Sequence, residues 1–178
     1  MRKLILILIS VFLFSADVVD MSFYYNQKDD NGAKIKAVFL YNFTRYFEWP
    51  TNEGSNFTIT MVGENQSILN ELTKMSATKM VGKQKLVVKS ISSLKDLGST
   101  QILFLLTEKS SLLNDAISKT KGKGILLVTE KPGLGKDGST INFIVQEKKH
   151  EFELNKKSAE KSGLKVSSSL QTLAKNIY

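Results

Sequence analysis

The chain has 178 residues, of which 42% are hydrophobic and 24% are charged, a composition typical of a folded domain and not of a disordered chain. It carries a net charge of +8, a single histidine and no cysteine, which excludes disulfides, thiolate metal sites and catalysis by a cysteine or a pair of histidines. We expect one domain that is stabilised by packing alone.

The first residues have the layout of an export signal. Two basic residues precede an apolar run over residues 4–14, and two small residues ending at Ala16 follow it. The run is shorter than the roughly 20 residues that a membrane span needs. We therefore predict a signal peptide over residues 1–16, cleaved near Ala16, then a polar segment over residues 17–32 of a periplasmic protein that is not integral to the membrane. An uncleaved N-terminal anchor is the alternative, because the bulky Phe14 fits the cleavage rule poorly.

Lysines are spread along the mature chain in small clusters. Two of the clusters comprise Lys119, Lys121 and Lys123, and Lys156, Lys157, Lys161 and Lys165. Such lysines commonly serve as a solubilising surface, and a net positive field also attracts anionic lipid or an acidic partner. Export from the cytoplasm argues against nucleic acid as the partner.

The folded domain, residues 33–178, is predicted to begin with an amphipathic helix over residues 33–48. Its apolar residues recur three or four apart and form one broad stripe. Pro50 disfavours helical geometry at Trp49, so the helix is expected to end there.

The first helix is unusually rich in aromatic residues. Phe39 and Phe43 lie on the apolar stripe and are predicted core residues. Tyr41 and Trp49 lie off the stripe, and Phe47 fits either position. Because exposed Tyr, Trp and Phe are common anchors of protein interfaces, we predict Tyr41, Phe47 and Trp49 as partner-binding residues.

Strand and helix patterns then alternate through the middle of the chain. Strands are predicted over residues 57–63, 85–91, 101–107 and 124–130, with helices over residues 67–74 and 110–119. Residues 101–107 and 124–130 are almost entirely apolar, which is typical of central strands covered on both faces. This alternation predicts crossover units and parallel pairing.

The end of the chain has a different pattern. Residues 140–146 and 152–154 flank a charged turn, which predicts a hairpin. Asn155 is predicted to cap a helix that Gly163 ends, and Ser168 is predicted to open a last helix. The predicted fold is a single α/β domain: a central mixed, largely parallel sheet flanked by helices, with a C-terminal hairpin and helices.

Motifs for chemistry are absent from the sequence. The glycine-rich loop over residues 133–140 has Ser139 where a phosphate-binding loop needs lysine, and a strand pattern follows it where a helix is required. His150 lies among charged residues in a turn, and no Gly-x-Ser-x-Gly segment accompanies it. We therefore predict no catalytic residue, no metal site and no cofactor, and a hydrolase with an unrecognised carboxylate pair is a disfavoured alternative.

Several blocks of the sequence resemble one protein family. The segment Lys36-Ala-Val-Phe-Leu-Tyr-Asn-Phe-Thr-Arg-Tyr-Phe-Glu-Trp-Pro resembles the N-terminal signature of the YfiR-like periplasmic proteins. Residues 57–63, 101–105, 124–129 and 138–143 resemble later blocks in the same order. The ending Phe152-Glu-Leu-Asn-x-x-x-Ala-x-x-x-Gly-Leu-x-Val-Ser-Ser-x-Leu-x-x-Leu-Ala is also similar to that of the family.

The resemblance implies an α/β domain, often dimeric, whose type member binds the periplasmic part of an inner-membrane diguanylate cyclase and holds it inactive. Release raises cyclic di-GMP and promotes biofilm formation. The chain departs from many relatives at Gln101, where they have cysteine, and at Ser139, where a second glycine is common, so disulfide control is excluded here. The leading hypothesis is a periplasmic regulator of a membrane signalling protein; a sensor histidine kinase as the partner and a small-molecule-binding module are the alternatives.

Overall fold

A computed structural model describes residues 32–50 and 54–178 of the chain. The predicted signal peptide and nearly all of the polar segment lie outside these residues. The helices are α1 (Gly32–Tyr46), α2 (Gln66–Ser76), α3 (Leu113–Thr120), α4 (Lys156–Lys161) and α5 (Ser168–Leu173). The strands are β1 (Phe47–Glu48), β2 (Asn56–Val62), β3 (Met80–Val81), β4 (Gln84–Ile91), β5 (Ile102–Leu105), β6 (Leu126–Thr129), β7 (Ile141–Gln146), β8 (Lys149–Leu154), β9 (Lys165–Val166) and β10 (Asn176–Ile177). Within the described ranges, none of the helices has the length and apolarity needed to span a bilayer.

One mixed sheet organises the domain. Its order is β10-β8-β7-β6-β5-β2-β4-β3, and β1 pairs with β9 separately. Parallel pairs join β4, β2, β5, β6 and β7, and β10 runs parallel to β8. The β7–β8 and β3–β4 pairs are antiparallel. A single α/β domain with a mixed sheet flanked by helices is thereby confirmed.

Helix α1 covers one face of the sheet with aromatic rings. We call this side the aromatic face, defined by Phe39, Phe43, Phe104, Phe143 and Phe152, which are all buried. Ring centroids of Phe43 and Phe152 lie 5.4 Å apart in an edge arrangement, and those of Phe43 and Phe143 lie 6.0 Å apart and stacked. Offset and edge contacts of this kind add to the stabilisation that burial gives.

The opposite face carries a smaller, aliphatic core under α3. We call it the aliphatic face, defined by Val62, Leu103, Leu105, Leu113, Ala116, Ile125 and Leu127. Alternate residues of β5 and β6 point to the two faces, so both strands are buried on both sides. The apolar runs in these strands follow from this double burial.

Two local predictions from the sequence need correction. Helix α1 ends at Tyr46 and not at residue 48, because Phe47 and Glu48 pair with Val166 and Lys165 in a strand ladder. The last helix is capped by Ser167, whose hydroxyl accepts a hydrogen bond from the backbone of Leu170, one residue before the predicted position. The Asn155 cap is confirmed, since its side chain accepts from the backbone N–H of Ser158 at 2.9 Å.

Candidate functional site

The glycine-rich loop is a folded turn. Gly133 and Gly138 have φ values of 93° and 119°, which few other residues adopt. Ser139 is fully buried, and its hydroxyl donates to the carbonyl oxygen of Ile141 at 2.7 Å. The loop therefore closes on its own backbone, and its form gives no support to phosphate binding.

Metal and acid–base chemistry are also unsupported. The described residues contain no group of three or more histidine and acidic side chains that would hold a metal ion. His150 is partly buried beside Gly32, and burial, followed by the charge of Lys36, lowers the pKa of its imidazole below the ordinary value. This geometry is that of a structural histidine.

Trp49 lies at the end of α1, where the chain turns towards the sheet. Its indole N–H donates to the carbonyl oxygen of Thr44 at 2.8 Å, and its ring meets Phe57 edge-on at a centroid distance of 4.9 Å. The side chain remains partly exposed. Trp49 is thus held rigidly with part of its surface available, which suits an interface anchor.

Pro50 fixes the same corner against the start of β6. Gly124 has a φ of +64°, and a side chain at this position would overlap the Pro50 ring. Only glycine gives the turn both its left-handed backbone and its close approach to the proline. The Trp-Pro pair and Gly124 therefore form one structural unit, although Gly124 comes 74 positions after Pro50 in the sequence.

A cavity of about 410 Å³ opens beside this unit, and we call it the Trp49 cavity. It is lined by Trp49, Pro50, Leu97, Gly98, Ser99, Thr100, Gln101, Lys119, Lys123, Gly124 and Ile125. Residues 97–101 directly precede β5 and residues 123–125 directly precede β6, so the cavity lies at the amino ends of these parallel strands. An indole and two lysine side chains face one concave surface here.

The other two predicted partner-binding residues lie in the core. Tyr41 is 6% exposed, and its hydroxyl donates to the carbonyl oxygen of Met80 at 3.0 Å. Phe47 is 5% exposed, with its ring 5.9 Å from that of Trp49. The structure thus brings Phe47 and Trp49 together and puts Tyr41 against strand β3. The expectation that Tyr41 lies off the buried stripe is wrong, because α1 packs against α2 as well as the sheet.

The lysines of the cavity were not singled out as site residues by the sequence. Lys119 and Lys123 lie on α3 and in the turn after it, and only the fold brings them beside Trp49. The one available signal was the Lys119, Lys121 and Lys123 cluster, a pattern that usually marks a solvated surface.

The carboxyl ends of the central strands offer a different environment. Ligands of open α/β sheets commonly bind there, at the point where the strand order reverses, which is between β2 and β5 in this sheet. Here the carboxylate of Glu108 accepts a hydrogen bond from the backbone N–H of Glu64 at 3.0 Å, and it fills the space above Gly63. The chain's own anion occupies the usual position of an anionic ligand.

A buried carboxylate network closes the other end of the sheet. Glu153 is 8% exposed and accepts hydrogen bonds from Asn142 at 3.0 Å, Asn176 at 3.1 Å and the Tyr178 hydroxyl at 2.8 Å. Burial alone would raise the pKa of Glu153, but these three bonds and the charge of Lys136 outweigh it and hold the pKa below its ordinary value. The network ties β10 to β7 and β8.

Comparison with known proteins identifies the family. The YfiR/HmsC-like family model matches residues 33–175. The chain belongs to the YfiR/HmsC-like family. The family resemblance predicted from the sequence is therefore confirmed. No curated protein matches the chain.

Solved structures also match. One is the crystal structure of a conserved domain protein from Vibrio cholerae O1 biovar El Tor, with a TM-score of 0.51 and 13% identity. The match covers 83% of this chain and 60% of the Vibrio chain, so the present chain spans less than two thirds of that protein. At this identity, the likeness extends to the fold alone.

Proposed function

We propose that this YfiR/HmsC-like chain is a non-enzymatic periplasmic regulator that binds the periplasmic domain of an inner-membrane signalling protein, and that this protein is a diguanylate cyclase which it represses. Family membership supports a regulatory role. Control of cyclic di-GMP and of biofilm formation follows from the proposed partner.

The Trp49 cavity is the observation that carries this proposal. The Trp49 indole is held by its contacts with Thr44 and Phe57 and is still partly exposed. Lys119 and Lys123 add positive charge to the same cavity. A rigid aromatic residue beside flexible cations suits a protein surface that presents an apolar side chain among acidic ones. We therefore assign the partner's docking surface to this cavity.

Tyr41 and Phe47 stay predicted partner-binding residues, with an indirect contribution. The ring of Phe47 contacts that of Trp49, and the Tyr41 hydroxyl donates a hydrogen bond to the backbone of Met80 in β3. Their burial means that either substitution alters the shape of the surface and not only its chemistry. A homodimer is part of the same proposal, and the molar mass in solution measured by light scattering tests it.

Retention of membrane proteins by the immobilised exported protein tests the proposal. We expect the wild-type protein to retain a cyclase from detergent-solubilised membranes, and we expect Trp49→Ala and the double variant Lys119→Glu with Lys123→Glu to lose it. The matched control is Lys79→Glu with Lys83→Glu, which makes the same charge change at exposed positions that do not line the cavity. Equal retention by both double variants would contradict the assignment of the surface.

The activity of the retained protein tests repression separately. Cyclic di-GMP synthesis by the purified full-length cyclase is expected to fall when the wild-type chain is added and to remain high with the Lys119→Glu, Lys123→Glu variant. Retention of a sensor histidine kinase in place of a cyclase would favour the alternative in which the chain is an accessory to a kinase.

A small-molecule-binding module is the second candidate function. The observation that favours it is a separate cavity beneath the turn at Gly138, lined by Thr140. Binding of a ligand there is compatible with regulation of a partner.

A further inference from the structure

A second cavity, of about 300 Å³, lies between α3, α4 and the turn that precedes β7. We call it the Thr140 cavity. It is lined by Ile117, Thr120, Lys121, Gly138, Thr140, Ser158, Lys161 and Ser162. Its volume is at the lower end of the range for ligand sites, so a compact molecule would fill it.

The hydroxyl of Thr140 is the first sign of a ligand. Thr140 is 1% exposed, and its Oγ1 has no hydrogen-bond partner among the described residues. Neighbouring buried hydroxyls are satisfied, since Ser139 donates to Ile141 at 2.7 Å and Thr129 donates to the side chain of Asn142 at 2.7 Å. A buried polar group without a partner is destabilising, so valine would suit this position better unless the hydroxyl serves a ligand.

The charged residues of the cavity indicate the sign of the ligand's charge. Lys121 and Lys161 are exposed and line the cavity from its solvent side. The backbone N–H of Gly122 donates to the carbonyl oxygen of Lys161 at 2.9 Å, which keeps the two lysine-bearing segments together. No acidic side chain occurs among the described residues that line the cavity. The site therefore favours an anion.

The cavity wall indicates the rest of the ligand. Gly138 has a φ of +119°, and a side chain there would come within 2.8 Å of the Ile117 side chain. This close approach makes part of the lining apolar, while Ser158 and Ser162 also line the cavity. A ligand that suits both kinds of lining has a short apolar chain and one anionic head.

We propose that the Thr140 cavity binds a small amphipathic carboxylate. The carboxylate lies between Lys121 and Lys161 and accepts a hydrogen bond from the Thr140 hydroxyl, and the apolar chain contacts Ile117.

The proposed site is linked to the Trp49 cavity by the segment 120–124. The backbone N–H of Gly124 donates to the carbonyl oxygen of Ser162 at 2.7 Å, while Pro50 packs on the other side of Gly124. A ligand beside Ser162 and Lys121 would therefore shift the backbone at Gly124 and, through Pro50, the position of Trp49. Ligand control of partner binding, which rests on the proposed function, follows from this connection.

Titration of the ¹⁵N-labelled exported protein with butanoate, hexanoate and octanoate tests the binding site without any partner. We expect saturable shifts in the amide signals of Lys121, Gly138, Thr140 and Ser162. The corresponding amides, which have no charge, are expected to bind more weakly. Because Trp49 is the single tryptophan, a shift of its indole N–H signal reports the connection to the Trp49 cavity.

Thr140→Val separates a ligand role from a structural one. The substitution keeps the shape of the side chain, so the protein should unfold at an equal or higher urea concentration, while hexanoate affinity falls about tenfold through loss of one hydrogen bond. The double variant Lys121→Gln, Lys161→Gln should bind the carboxylates more weakly and the amides with unchanged affinity. Lys157→Gln, an exposed residue of the same helix outside the cavity, is the matched control.

Absence of saturable shifts with all three carboxylates would overturn the site, as would unchanged hexanoate affinity in Thr140→Val. Because these readouts need no membrane protein, they are independent of the proposed function. Carboxylate binding without any effect on partner retention would remove only the connection to the Trp49 cavity.

Discussion

The two faces of the sheet differ in what they contribute. The aromatic face brings together rings from α1, β5, β7 and β8, and α1 is buried over most of its circumference. The aliphatic face is smaller, and α3, which covers it, supplies lysines to both cavities together with the turn that follows it. The side of α3 thus carries less of the core and more of the accessible polar chemistry.

This difference explains why the family pattern says little about function. The signature in α1 consists largely of residues that build the aromatic face, and the Trp-Pro pair that ends it fixes a corner of the fold. A pattern of this kind identifies an architecture. The proposed docking surface combines the end of this pattern, Trp49, with lysines of α3 and of the turn after it.

Truncation of one buried residue on each face of the sheet tests whether the aromatic face contributes more to stability than the aliphatic face. Phe43→Ala removes a fully buried ring that contacts Phe143 and Phe152, and we expect the free energy of unfolding to fall by about 4 kcal/mol. Leu127→Ala on the aliphatic face should cost about 3 kcal/mol. Urea unfolding measures both. A larger loss for Leu127→Ala would reverse the ranking of the two faces.

A pair of glycines tests the corner at which Trp49 is held. Gly122 and Gly124 have φ values of +67° and +64°, but a side chain overlaps Pro50 only at Gly124. We expect Gly122→Ala to cost about 1 kcal/mol through its backbone conformation. Gly124→Ala should cost about 3 kcal/mol, because the proline must also move.

Tryptophan fluorescence provides the second readout for the glycine pair. Trp49 is the single tryptophan, so its emission maximum should shift in Gly124→Ala and stay constant in Gly122→Ala. Equal losses of stability with no shift would mean that the contact with Pro50 does not position Trp49.

Local signals predicted much of the fold, and long-range contacts account for the rest. Strands β5 and β6 were predictable because burial on both faces leaves few polar residues in their sequences. The Asn155 cap was predictable because its hydrogen bond spans only three residues. The end of α1 at Tyr46 depends on pairing with Val166, more than a hundred residues away. No local pattern encodes such a partner.

The candidate site was less predictable for the same reason. Trp49 was identifiable from its residue type and its position before Pro50. The burial of Tyr41 was not identifiable, because Met80, whose carbonyl oxygen accepts the Tyr41 hydrogen bond, belongs to another element. The convergence of Lys119 and Lys123 on Trp49 depends wholly on the packing of α3.

The Glu153 network at the edge of the sheet gives a pH-dependent prediction. The folded-state pKa of Glu153 is depressed, so its stabilisation is present above the ordinary glutamate pKa and is lost as the pH falls through the folded-state pKa. Glu153→Gln should lower stability at neutral pH by about 2 kcal/mol, because the donors from Asn142, Asn176 and Tyr178 lose their anionic acceptor.

Unfolding free energies measured from neutral to acidic pH check this prediction. The wild-type protein should lose stability across the acidic range, and the difference between it and Glu153→Gln should shrink there. A constant difference at all pH values would show that the carboxylate charge does not stabilise the fold.

The smallest expected effect is at the lysines of the Trp49 cavity. Lys119→Gln and Lys123→Gln should each change the unfolding free energy by less than about 0.5 kcal/mol, as is usual for surface substitutions outside structural networks. Lys36→Gln is the matched control, since Lys36 forms a 2.6 Å ion pair with the largely buried Glu130 and its loss should cost about 2 kcal/mol. If Lys119→Gln or Lys123→Gln proved as costly as Lys36→Gln, these lysines would belong to the structure of the fold, and any loss of partner binding in their variants would no longer indicate a docking surface.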